Sequence, residues 1–186
     1  MPRTVLVTGA TGAVGPGVVW ALHEAGYHVR ILAHSFPEAG LLPSEVEVCL
    51  GDVTEPPAVY AATQGMTAVV HLAALLHLVN PPPALRATYT RVNVDGTRTV
   101  VEAARHSGSQ RVVFFSTIAV YGYNTGTTIT EESPTRPDTF YAQSKLAAEQ
   151  IVLDARRSDG QPLGTVLRLG AVYGARVKGN YQRLTR

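Results

Sequence analysis

The chain has 186 residues, of which 45% are hydrophobic and 16% charged, with a formal net charge of +2. That is enough chain for one well-buried domain of ordinary globular composition. Its basic residues are scattered, with no Lys/Arg block of the kind that tracks a phosphate backbone, so a nucleic-acid partner is not expected. The lone cysteine, Cys49, excludes a disulfide framework and fits a reducing cytoplasm. Lying in the apolar run 46–50, it reads as a buried strand residue. Met-Pro-Arg passes directly into the first strand, which predicts no signal peptide, and no apolar run approaches the roughly 20 residues of a membrane span.

The chain opens on Val5 to Gly15, reading Val-Leu-Val-Thr-Gly-Ala-Thr-Gly-Ala-Val-Gly: an apolar strand, three glycines, then an amphipathic helix. Gly9 allows a sharp turn off the strand, Gly12 allows close approach to a pyrophosphate, and Gly15 lets the helix pack near the strand. The helix N-terminus offers unpaired N–H groups and a favourable dipole to an anion. The spacing is G-x-x-G-x-x-G and not G-x-G-x-x-G, so a bare strand-to-helix turn stands as the alternative.

Further strands are predicted at 28–32, 46–50, 68–72, 111–115 and 165–169, each nearly continuous in apolar residues, as in strands buried on both faces. Helical periodicity runs over 13–25, 57–64, 84–106 and 141–157, with Gly26 and Gly108 as C-terminal caps. Pro16 falls in the first turn of its helix, where a missing N–H costs little. This alternation predicts an α/β fold: a doubly wound parallel sheet of the Rossmann type with helices on both faces. The long stretch from Tyr121 to Phe140, rich in Gly, Pro and polar residues, reads as a functional loop.

Two strand ends speak to the adenosine end of a dinucleotide. About 20 residues past the glycines, where an acid would accept from a ribose 2′-OH, stand Ala33, His34 and Ser35. With no carboxylate there to repel a 2′-phosphate, the reading leans slightly to NADP over NAD, His34 being either a phosphate ligand or a plain surface residue. Asp52, followed by Val53, either accepts from an adenine amino group or caps the turn after it. Further on, Tyr141 and Lys145 project from one helix face. A tyrosine that works as a base near neutrality needs its phenolate stabilised, and a neighbouring ammonium does that. Ser116 and Thr117 put hydroxyls at the carboxyl end of the fifth strand, the rim where such sheets bind ligands.

These motifs together resemble the extended branch of the short-chain dehydrogenase/reductase superfamily, which includes nucleotide-sugar epimerases and dehydratases. The resemblance rests on 8–15, Gly51-Asp52-Val53, His71-Leu72-Ala73-Ala74, 93–97, 116–122, Tyr141 to Lys145 and 167–174, nearly the whole chain. It implies an NAD(P)-dependent oxidoreductase or epimerase-like enzyme moving hydride to or from a secondary alcohol or ketone. Thr117, Tyr141 and Lys145 would form the catalytic set, with Ser116 as second choice for the hydroxyl. Cofactor contacts would come from Gly9, Gly12, Ala13, Val14, Gly15, His34, Asp52, Val53, Leu72, Ala73, Ala74, Asn93, Ser116, Tyr141 and Lys145. His71 would be a strand-end residue, and no metal is expected.

Three departures narrow the resemblance. Ala171 stands where the sugar-nucleotide enzymes usually carry an asparagine, which weakens a nucleotide-sugar substrate, and Ile118-Ala119 replaces the Asp-Glu pair of the dehydratases. The third is length: the chain, read as one NAD(P)-binding domain over 1–186, lacks the C-terminal part that closes over substrate, and Tyr181-Gln182-Arg183-Leu184 reads like an element cut off. A longer parent enzyme is expected, checked by intact mass against 19.8 kDa. The other class left open is a non-catalytic NAD(P)-binding sensor or regulatory module. A homodimer through a four-helix bundle of the 84–106 and 141–157 helices is the partner expected, and burial of their apolar faces on the chain's own sheet is the alternative.

Overall fold

Six parallel strands form one sheet in the order β3-β2-β1-β4-β5-β6. The computed structural model describes residues 3–76, 78, 81–123, 128–174 and 176, so Tyr181 to Leu184 lie outside the described residues. The strands are β1 Thr4–Thr8, β2 His28–Ala33, β3 Glu47–Leu50, β4 Ala68–His71, β5 Arg111–Thr117 and β6 Gly164–Leu169. The helices are α1 Gly15–Glu24, α2 Pro56–Thr63, α3 Leu85–Tyr89, α4 Gly96–His106 and α5 Phe140–Asp154. The order reverses between β1 and β4, which opens a crevice beyond the carboxyl ends of those strands, the place where doubly wound sheets bind ligands.

Two apolar layers hold the helices to the sheet. Leu6, Val69, Val112 and Phe114 pack with Val59, Val100, Ala104, Ala148 and Val152 of α2, α4 and α5. Val5, Val7, Ile31 and Val70 pack with Val19 of α1 and with Leu42. The apolar faces of α4 and α5 are therefore buried on their own chain, while Arg98, Glu102 and Arg105 make an exposed charged stripe along α4. Gly26 and Gly108 close α1 and α4 with φ of 79° and 74°, as their positions predict.

Three expectations change. The outermost strands are not buried on both faces: Leu50 of β3 is 51% exposed and Leu167 of β6 is 40% exposed, because each has a neighbour on one side only. Cys49 is accordingly half-buried and not fully enclosed. The helix predicted over 84–106 is continuous but interrupted by a π-helical turn at Thr90–Asp95, centred on Asn93. Apolar periodicity does not register such a bulge, which frequently marks a functional site. Among the described residues, no helix is long and apolar enough to cross a membrane.

Candidate active site

The cradle is built by close packing of main chain. Gly9 has φ of 72°, and a Cβ there would lie 2.6 Å from the amide nitrogen of Ala73. A Cβ on Gly15 would fall on the carbonyl of Ala10. Glycine is thus required at both positions by sterics alone. Gly12 donates its N–H to the Gly9 carbonyl at 3.1 Å, closing the turn, and Thr11, Gly12 and Ala13 are exposed along the crevice. The helix begins at Gly15, two residues later than its periodicity suggests, since this turn uses the residues before it. Val14 at the N-cap offers no side-chain hydrogen bond, which leaves the first N–H groups of α1 for an anion.

Beside the cradle lies a cavity of about 60 Å³ lined by Gly9, Thr11, Leu32, Ala33, His34, Gly51, Val53 and Ala73. His34 is largely exposed, with Nδ1 3.7 Å from Oδ2 of Asp52. The residue expected to favour a 2′-phosphate therefore faces a carboxylate. Asp52 Oδ1 accepts the Thr54 N–H at 2.8 Å, so its turn-capping role is realised, while Oδ2 is the oxygen nearer His34. Arg30 stays away from the cradle: it donates to the carbonyls of Ala62 and Gln64 and pairs with Glu47.

The segment after β4 is tied down from two sides. Leu72 donates its N–H to the Thr8 carbonyl, and Ala73 donates to Thr8 Oγ1 at 3.3 Å. From the π-helical turn, Asn93 accepts from Leu75 N–H at 2.7 Å and donates to the Leu75 carbonyl at 3.1 Å. Its amide also donates to Ser144 Oγ, which donates in turn to the Tyr141 carbonyl. Asn93 thus braces the Leu72-Ala73-Ala74 segment and the Tyr141 helix against each other, although it was expected to touch a cofactor. This explains the π-helical turn: an extra residue in the helix aims the amide inward.

Beneath this segment, His71 is fully buried between two threonines. Thr97 Oγ1 donates to the Asn93 carbonyl at 2.6 Å, so it accepts from His71 Nε2, 3.0 Å away. That assigns the proton to Nε2 and makes Nδ1 the acceptor for Thr8 Oγ1 at 2.6 Å. Burial, aided by the Lys145 charge, lowers the His71 pKa to about 3, so the ring is neutral.

Tyr141 and Lys145 lie one turn apart on α5, whose N-cap is Thr139, accepting from Ala142 N–H at 3.1 Å. The alternation of β5 sends its two terminal hydroxyls to opposite faces. Thr117 accepts from Ala119 N–H at 3.1 Å and lies near enough to Tyr141 to act on its phenol. Ser116, expected as a cofactor contact and as the second choice for catalysis, is 4% exposed and donates a hydrogen bond to Glu149. Burial, reinforced by Tyr89, pushes the Tyr141 phenol above its usual pKa, and Thr117 pulls against this. The depressed phenol expected from a neighbouring ammonium is therefore not found. The Lys145 ammonium sits 3.9 Å above the Phe114 ring and is 1% exposed; burial lowers its pKa to about 7, with Glu149 opposing.

Two charged groups of this cluster had no role in the sequence reading. Glu149, 1% exposed, accepts from Arg168 Nε at 3.1 Å and from Nη2 at 2.7 Å, while Arg168 Nη1 donates to the Tyr121 hydroxyl at 2.7 Å. The signal was present: Glu149 repeats the spacing of Tyr141 and Lys145 by one more turn, a carboxylate on an otherwise inward face.

With this geometry the comparisons with known proteins agree. The chain matches the 3 beta-hydroxysteroid dehydrogenase/Delta 5-->4-isomerase of Mycobacterium tuberculosis at 32% identity, over 91% of this chain and 47% of that protein. It matches the UDP-glucose 4-epimerase of Vibrio cholerae at 33% identity, over 100% of this chain and 57% of that protein. A short-chain dehydrogenase/reductase superfamily protein of Agrobacterium tumefaciens, solved with bound NAD, superposes with a TM-score of 0.77 at 34% identity, over 89% of this chain and 48% of that one. The chain thus spans about half the length of the relatives it matches. Residues 5–186 match the model of the NAD dependent epimerase/dehydratase family, and the chain belongs to that family.

Proposed function

We propose that this chain is the nucleotide-binding part of an NAD-dependent oxidoreductase or epimerase-like enzyme acting on a secondary alcohol or ketone of a sugar derivative or steroid-like ring. The observation that carries the reading is the placing of Tyr141 beside Thr117, with the buried Lys145 one turn on, at the same rim of the sheet as the glycine cradle. The cradle fits a pyrophosphate, since Gly9 and Gly15 leave room that any side chain would fill. When bound, a nicotinamide supplies or accepts the hydride. Asp52 beside His34 favours NAD over NADP, because a 2′-phosphate on His34 would also meet that carboxylate.

In this reading Tyr141 moves the proton at the substrate oxygen. Its raised pKa keeps the phenol protonated at neutral pH, the form that donates to a ketone oxygen as the adjacent carbon is reduced. Thr117, with one lone pair taken by Ala119, has a single hydroxyl hydrogen, which it turns to the substrate oxygen beside the phenol. Lys145 supplies the positive charge that favours the phenolate left behind.

The test pairs binding with turnover. Fluorescence titration is expected to show NADH binding at least tenfold tighter than NADPH. In the longest form of the protein that turns over a ring alcohol, Tyr141→Phe should cost about 10²- to 10⁴-fold in rate while NADH affinity holds. Undiminished turnover in Tyr141→Phe removes the assignment. Failure of both nucleotides to bind removes the cradle reading, and binding without turnover of any secondary alcohol leaves the sensor class.

A further inference from the structure

Glu149 is the one carboxylate among the buried side chains of the described residues, and Ser116 and Arg168 both donate to it. Ser116 Oγ donates from the end of β5, and Arg168 donates from β6 through Nε and Nη2, a fork that fits a carboxylate with two parallel bonds. The remaining Arg168 nitrogen, Nη1, reaches the Tyr121 hydroxyl and the Glu131 carbonyl, both in the stretch leading from β5 to α5, and the guanidinium lies over the Tyr121 ring at 4.9 Å. These bonds push the Arg168 pKa upward, with the Glu149 hydrogen bond the largest cause. A surface ion pair would be worth little, but this carboxylate is enclosed, so its charge must be answered by its neighbours.

One turn before Glu149 on the same inward face of α5 is Lys145, equally enclosed. The groups facing the ammonium are Glu149 from its own helix, His71 from β4, the Phe114 ring from β5, and Arg168 from β6 acting through Glu149, with Tyr141 one turn before it on the helix. His71 is neutral and Arg168 is a like charge, so Glu149 is the anion of the group.

Resting on the reading of Tyr141 and Lys145 given above, we propose that Glu149 is a positioning residue for Thr117, Tyr141 and Lys145: clamped by Ser116 and Arg168, its carboxylate is the counter-ion of the buried ammonium and locks the end of β5 to the helix that carries Tyr141. Thr117 immediately follows Ser116, so the Ser116–Glu149 bond fixes the register of the strand end that presents the Thr117 hydroxyl. Arg168 extends the same clamp to Tyr121 and Glu131.

The test reads Lys145 directly, by its ε-carbon NMR shift against pH in the chain as it stands, with Lys145→Arg to assign the signal. In the unaltered protein Lys145 is expected to titrate near pH 7. Glu149→Gln, which keeps the shape and an acceptor for Ser116, removes the anion and leaves Arg168 a like charge, so the midpoint should fall by about one unit or more. Arg168→Gln removes a like charge and leaves the carboxylate to Lys145, so the midpoint should rise. A purely structural role would move both variants the same way or neither, and either result overturns the proposal. Where Glu149→Gln fails to fold, the direction of the Arg168→Gln shift decides alone. The measurement uses neither cofactor nor substrate, so a chain that binds no NADH defeats the functional reading while the Lys145 titration still decides the ion pairing.

Discussion

At the cradle, contact is made by main chain: Gly9 against Ala73, Gly15 against Ala10, and the N–H groups of α1 open to the crevice. At the Tyr141 end it is made by buried side chains, with Lys145, Glu149, His71, Asn93 and Ser144 all less than a tenth exposed and joined through hydrogen bonds and charge. The first end discriminates by shape, because a backbone offers the same groups whatever the pH. The second discriminates by protonation, since burial lowers the pKa of His71 and Lys145 and raises that of Tyr141. A substitution at the cradle should therefore act through sterics and be insensitive to pH, whereas one at the buried cluster should change how the protein responds to pH.

The largest effect on stability is expected at Gly15. An alanine Cβ there collides with the Ala10 carbonyl, which is main chain and can yield only by moving the turn. Gly15→Ala should cost roughly 3 kcal/mol, read from urea midpoints, and should weaken NADH binding by displacing the first turn of α1. Gly17, two residues on, has open space around its position, and Gly17→Ala should gain about 0.5 to 1 kcal/mol from helix propensity. Equal behaviour of the two alanines would mean that close packing does not govern the cradle.

The buried cluster gives the next largest effect, through His71. Its pKa is about 3 in the folded chain against an ordinary 6.5, so between those values the unfolded chain binds a proton that the folded chain does not. Stability from this group is complete above pH 6.5 and is lost as pH falls toward 3, by about 2 kcal/mol at pH 5. Comparing urea midpoints of the unaltered protein and His71→Gln from pH 7 to pH 4.5 isolates this loss from that of the carboxylates. The difference between the two should change across the range, and a constant difference would show that His71 is not held neutral.

The contrast also explains what could be read from the sequence. The sheet, its helices and the glycines of the cradle were legible because each depends on local pattern: apolar runs, turn residues and the spacing of three glycines. Tyr141, Lys145 and Thr117 were legible because helix spacing and strand ends put them on one rim. The clamp on Glu149 was not, since Ser116 and Arg168 lie 33 and 19 residues away and meet it only through the pairing of β5 with β6. Nor was the inward role of Asn93, because the π-helical turn that aims it leaves the apolar periodicity of the helix intact. The two hydroxyls of β5 were separable in principle by the alternation of the strand, which encloses Ser116 against Glu149 and leaves Thr117 half-buried at the rim.

Asp52 stands between the two modes, a charged side chain at the backbone-built end, and it gives the smallest effect. Its Oδ1 holds the Thr54 N–H while Oδ2 lies toward His34, a residue that lines the cavity, so one carboxylate serves the turn and stands next to the crevice. Asp52→Asn separates the two functions. The asparagine oxygen still accepts from Thr54, so the turn and the stability should be kept, but an NH₂ replaces the oxygen that would accept from an adenine amino group. Losing one such hydrogen bond is worth about 1 kcal/mol, or roughly five- to tenfold in affinity. NADH titration of Asp52→Asn should show that weakening with an unchanged melting temperature. Unchanged affinity would assign Asp52 to the turn alone, and the adenosine end would then be recognised by the shape of its backbone-lined cavity, as the pyrophosphate is.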